Sequence, residues 1–231
     1  MLRRAIRAMI AMAMLCLILQ GYALATPSTQ IWNPSTDIQT YGTAHLGIDD
    51  YFTSAWPEDG GYQFPTDIGL TYGAMPGLEV GIDATMPSSA PLMFNAKYGV
   101  AEANNMPTFA FGGFGFGTDR DKTDQDVLYA LAAKTFEFGR LTAGYYSGNE
   151  RVLINPDNGE KDNTGFIMTW DKAVTEKLWL SVDYASGYSQ IGALFYGLSW
   201  AFANNTSVIF GYGTFNNGSD PVVTTQLDIN I

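Results

Sequence analysis

Few side chains in this sequence could do chemistry: one histidine, His45, the carboxylates Asp83 and Asp183, and the cations Lys97 and Arg140. A histidine acting as general base needs a nucleophile within hydrogen-bond reach and a partner that orients its ring. His45 lies in Thr43-Ala44-His45-Leu46-Gly47, which offers no serine beside it, and one histidine cannot build a multi-histidine metal site. A carboxylate pair hydrolyses a glycoside only when held about 5–9.5 Å apart, and the long stretch of chain between Asp83 and Asp183 fixes no distance. The run Gly112-Gly113-Phe114-Gly115-Phe116-Gly117 has the glycines of a phosphate loop, but an acidic loop and another strand pattern follow it, not a helix whose N-terminus could face an anion. Asp119, Asp121, Asp124 and Asp126 resemble a calcium loop that lacks its central glycine and terminal glutamate. No catalytic, cofactor or metal site is assigned. His45, Asp83, Asp183, Lys97 and Arg140 instead read as the polar lining of an interior, where acids and bases must find partners because an unpaired buried charge is costly.

An interior needs walls, and the sequence supplies them in period two. Leu78-Glu79-Val80-Gly81-Ile82-Asp83-Ala84 puts apolar residues at even positions and acids or glycine at odd ones. A helix would scatter its four apolar residues over both sides, whereas a strand gathers them on one face. The same alternation runs through twelve segments, near 36–52, 64–75, 78–86, 92–100, 107–117, 125–136, 139–148, 163–171, 177–187, 190–202, 206–214 and 222–231. It predicts Leu70, Val80, Ile82 and Leu227 on an outer face, with Thr71, Asp83 and Gln226 on an inner one. The segments near 107–117 and 163–171 are too uniformly apolar for their faces to be told apart.

Connections alternate too. Met75-Pro76-Gly77, residues 101–106, Glu137-Phe138, residues 172–176 and Ala203-Asn204-Asn205 are compact, while 53–63, 117–124 and 148–162 are longer and more polar. The stretch 149–162, the most turn-rich, is expected to be mobile. Ahead of all this, residues 1–25 carry Arg3, Arg4 and Arg7, an apolar run and Ala23-Leu24-Ala25, the pattern of a cleaved signal peptide. The remaining 26–231 reads as one domain. Cleavage removes three of the twelve Lys and Arg, leaving nine against 23 acids, so a nucleic-acid partner is excluded by charge. It also removes Cys16, the one cysteine, and with it disulfide and thiolate chemistry.

Signal, alternation and a C-terminal strand ending Leu227-Asp228-Ile229-Asn230-Ile231 together resemble the Gram-negative outer-membrane β-barrel proteins, small porin-like channels among them. The resemblance covers the whole of 26–231, although Ile231 stands where such barrels usually end on an aromatic. It implies an all-β fold, a closed antiparallel transmembrane barrel of about twelve strands, located in the cell outer membrane. The implied partners are outer-membrane lipid and lipopolysaccharide, the barrel-assembly machinery during biogenesis, and small solutes or ions. Trp32, Trp56, Trp170, Trp179 and Trp200 are then expected at the membrane interfaces. Small inward residues point to a narrow water-filled pore, and inward acids outnumber Lys97, Lys134 and Arg140, so the pore should prefer cations. The protein is not expected to be an enzyme. Two alternatives stand beside the pore: a lipid-modifying enzyme, which would need His45 to meet a serine at the lipid face, and a closed structural or adhesive barrel without transport.

Overall fold

A computed structural model describes residues 28–53, 65–103 and 106–231; the signal peptide, Cys16 and Trp56 lie outside them. Twelve strands form: β1 (Ala44–Thr53), β2 (Thr66–Met75), β3 (Leu78–Met86), β4 (Leu92–Val100), β5 (Thr108–Gly117), β6 (Val127–Phe136), β7 (Gly139–Ser147), β8 (Thr164–Ala173), β9 (Leu178–Ala185), β10 (Ala193–Ala203), β11 (Thr206–Phe215) and β12 (Val222–Asn230). Each pairs antiparallel with its chain neighbour, and β1 pairs with β12 to close the ring. Closure leaves no edge, which removes the unpaired backbone groups that an open sheet would expose. Short turns gather at one end of the barrel and longer connections at the other, as the sequence alternation requires.

The faces follow period two. Leu70, Val80, Phe94, Phe111, Leu128, Phe166 and Phe210 stand on the outside, while Thr71, Glu79, Lys97, Thr169, Asp183 and Gln226 are buried on the inside. A soluble barrel would invert this; an apolar exterior around a polar interior suits a barrel whose surroundings are lipid. The two ambiguous strands are now settled. Phe166, Met168 and Trp170 point outward from β8 against inward Ile167, Thr169 and Asp171. In β5 the register shifts beside Phe94 and Ala96, because Gly115, at φ +69°, adopts a left-handed conformation that lets an extra residue bulge out of the ladder.

Four expectations need correction. The first strand begins at Ala44, not near 36; residues 28–39 lie within the lumen as an irregular segment, and 40–43 pass over the short-turn rim, where Thr40, Tyr41 and Gly42 are exposed. Lys134 takes outward parity opposite Leu141 and reaches Glu102 at 2.6 Å, a base extending toward the short-turn rim. That hydrogen bond holds the Glu102 carboxyl below its usual range. Trp32 and Trp179 are not interfacial but inside the barrel; Trp170 and Trp200, with stacked Phe136 and Phe138, do sit outside near the short turns. Finally, the connection 148–163 folds back on itself: Leu153 donates to the Asn149 carbonyl and accepts from Asp162, and its side chain is fully buried. It packs with Val127, Tyr146, Ile167 and Ile191 inside the β5–β9 half of the ring.

Candidate functional site

The lumen holds the incoming segment, an apolar filling and a cavity bordered by both acids and aromatic rings. The segment lies against the β7–β12 wall, where three anchors hold it. The Asp183 carboxylate accepts the backbone N–H groups of Ile31, Trp32 and Asn33 at 2.8, 2.9 and 3.3 Å, and the Asn33 amide as well. Gln226 donates to the Ile31 carbonyl at 2.8 Å, and Gln30 reaches Asp171 and Ser181. Between these anchors Ile31 settles over Gly197 and Gly211, whose missing Cβ atoms would lie 3.1 Å from its side chain. Trp32 stacks on Phe195 with ring centroids 5.0 Å apart and meets Tyr51 and Phe215 edge-on.

Further along, the segment crosses the short-turn end. Arg140 holds Asp37 through its two terminal guanidinium nitrogens, at 2.5 and 2.7 Å, and Asp171 through Nε at 2.9 Å. Lys97 pairs with Glu79 at 3.1 Å and donates to the Ser28 carbonyl; Glu79 in turn accepts the Gln39 backbone N–H at 2.6 Å. At Gly73 the segment runs so close to β2 that a Cβ would overlap the Thr40 carbonyl, and two backbone hydrogen bonds, Gly42 to Gly73 and Gly73 to Thr43, fasten it there. Buried Thr36 and Gln39 complete a floor across this end.

Opposite the segment remains a cavity of about 470 Å³ along β1–β5. Its lining runs from His45, Glu79 and Lys97 near the short turns to Pro65, Gln125 and Gln190 at the long-loop end. Asp49, Asp67 and Asp83 line its middle with Asn95, while Trp32, Tyr51, Phe114 and Phe215 supply aromatic surface.

The five residues singled out from sequence therefore part company. His45, Asp83 and Lys97 border the cavity; Asp183 and Arg140 are spent on the segment. They do not share one level either: His45 is the second residue of β1 from the short-turn end, whereas Asp83 and Asp183 lie in the long-loop halves of β3 and β9. His45 is buried, with Nε2 3.4 Å from Asp228 and Nδ1 3.3 Å from Asn230, so it faces inward and away from the exterior. Sequence reading placed Gln226 on the inner face, but missed Asp171, the segment itself and so the anchoring that Gln226 gives it. The turn-forming Asn33-Pro34-Ser35-Thr36-Asp37 was the available signal that the chain is not yet a strand there.

A closed twelve-stranded antiparallel ring with a polar lumen is the fold of small outer-membrane porins. Among solved structures the chain is similar to the KdgM porin (8% identity, TM-score 0.59) and the NanC porin (8%, 0.55), covering 80% of this chain and 98% of each. It is also similar to an outer membrane channel from Pseudomonas putida (9%, 0.50; 85% of this chain, 98% of that one). The sequence matches no protein-family model and no curated protein.

Proposed function

We propose that the chain is exported through its signal peptide to the outer membrane and forms a narrow channel there for small solutes or ions, with a preference for cations. The observation that carries this reading is the acid-lined cavity extending along most of the lumen. Asp49, Asp67 and Asp83 border it, and among the described residues neither lysine nor arginine forms an ion pair with any of them. Lys97, the cation that does border it, is matched by Glu79. In a confined, partly desolvated passage such unmatched charges set a field that favours cations.

Reversal potentials across planar bilayers under a salt gradient test the proposal. Wild-type protein should show cation preference that shrinks as ionic strength approaches 1 M, where the Debye length is about 3 Å. Replacing Asp49 and Asp83 together by Asn should abolish most of it. Unchanged preference in that double variant would show that these acids do not set the field. A second reading, the closed structural barrel, draws support from the floor made by the segment; protein that never conducts, with or without that segment, would favour it. An enzyme acting at the lipid face gains no support from an inward His45.

A further inference from the structure

The cavity has two unlike walls. On one, Asp49 and Asp67 are register partners across β1 and β2, with Cα atoms about 4.5–5.5 Å apart by ladder geometry. Asp83 follows opposite Gly69 and accepts a 2.6 Å hydrogen bond from Asn95. Asp49 Oδ1 is buried and has no hydrogen-bond partner among the described residues. Glycines leave space around these oxygens: a Cβ at Gly69 would come within 2.8 Å of Asp83 Oδ1, and one at Gly47 within 3.7 Å of Asp49 Oδ1. The aromatic wall adjoins the acids and shares β1 with them: Trp32 of the segment meets Tyr51 of β1 and Phe215 of β11 at centroid distances of 5.5 and 5.7 Å, and Phe114 of β5 lies against Tyr129. Tyr51 is the next inward position along β1 from Asp49, about 7 Å away, so ring and carboxylate fall within the span of one small molecule.

We infer that this cavity binds a monovalent organic ammonium ion carrying an apolar or aromatic body, a reading that rests on the cavity being the channel's passage. An inorganic cation would answer the carboxylates and leave the aromatic wall unused. An anion is repelled, and a neutral apolar molecule leaves Asp49 shut away from water without a partner, which costs free energy. An ammonium with a hydrocarbon body satisfies both walls, its charge at the aspartates and its body on the rings, with the attraction of cation for ring face added. The volume falls within the range of small-molecule sites, about 300–1,000 Å³.

Calorimetry on the full barrel in a neutral detergent provides the test, with benzyltrimethylammonium, benzyl alcohol and benzoate as probes that share a ring and differ in charge. Saturable binding is expected for the cation alone, about tenfold weaker in Asp49→Asn, where the charged partner is lost, and about threefold weaker in Phe215→Leu. Asp83→Asn, which keeps size and should weaken binding in the same direction, guards against a single variant that fails to fold. Equal binding of the three probes, or cation binding unchanged in both aspartate variants, overturns the inference. The same cation should reduce current in bilayers. Binding without any conductance would overturn the channel reading and leave the site standing, whereas conductance without cation binding would overturn the site and leave the channel.

Discussion

Deleting residues 26–41, with the signal peptide joined directly to Gly42, is expected to raise single-channel conductance severalfold. The deletion removes Ile31 and Trp32 from the middle of the lumen and the Asp37 and Gln39 contacts from its floor, while every strand pairing from Ala44 onward remains. Water should then reach Asp183, whose carboxylate loses four donors and becomes an exposed acid in a wider passage. The ring should also lose stability: burial of Ile31 alone contributes about 1.5–3 kcal/mol before any hydrogen bond is considered. Gly73→Val offers a milder version, since its side chain cannot coexist with the Thr40 carbonyl and must lift the segment without shortening the chain. Asp183→Asn should act in the same direction, because a neutral amide oxygen accepts the three backbone N–H groups that converge on Oδ2 more weakly than a carboxylate, and its NH₂, in the place of Oδ1, would oppose the donating amide of Asn33. Conductance unchanged in the deletion would mean the segment is not the constriction.

The second large effect concerns the outer surface. Ile82 pairs with Leu70 and Phe94 on the exterior, midway along three adjacent strands. Ile82→Arg should destabilise the folded barrel by about 2–4 kcal/mol in urea titrations carried out in lipid bilayers, the cost of a cation at the bilayer midplane. Thr85→Arg, on the inner face of the same strand, should cost little, because Thr85 borders the cavity and already donates to Asp67 at 3.4 Å. A new guanidinium there meets unpaired acids. Similar losses at the two positions would show that the outer face does not meet lipid.

Much of the ring was legible because alternation is a local signal that packing reinforces. Leu78 to Ala84 could only be a strand with acids inward, and it is. What alternation could not separate is a strand from an irregular segment with the same parity. Asp37, Gln39 and Tyr41 shared parity with His45, so residues 36–43 read as strand, yet they carry almost no ladder hydrogen bonds; Arg140 and Glu79, far away in sequence, supply their partners. Trp179 illustrates the other limit. Its position near a strand end suggested an interface, but inward parity and the indole N–H donated to Asp171 at 3.1 Å bury it. The candidate site was half visible: Asp83, Lys97 and His45 border the cavity, whereas the use of Asp183 by backbone amides depends on a chain reversal that no spacing encodes.

The segment's anchors also act as a gauge of the ring. They tie Glu79 on β3, Arg140 on β7, Asp183 on β9 and Gln226 on β12 to one short stretch of chain. Those four points lie around most of the circumference, and the stretch spanning them has a fixed length. A ring with one strand fewer or more would move the far wall relative to β1, and the four anchors could no longer be met together. β1 begins where the stretch ends, and Ala44 and Ile231 exchange backbone hydrogen bonds at the seam, so the stretch leads straight from the closing point of the ring into its lumen. The circumference of the ring is thus written into residues that belong to no strand.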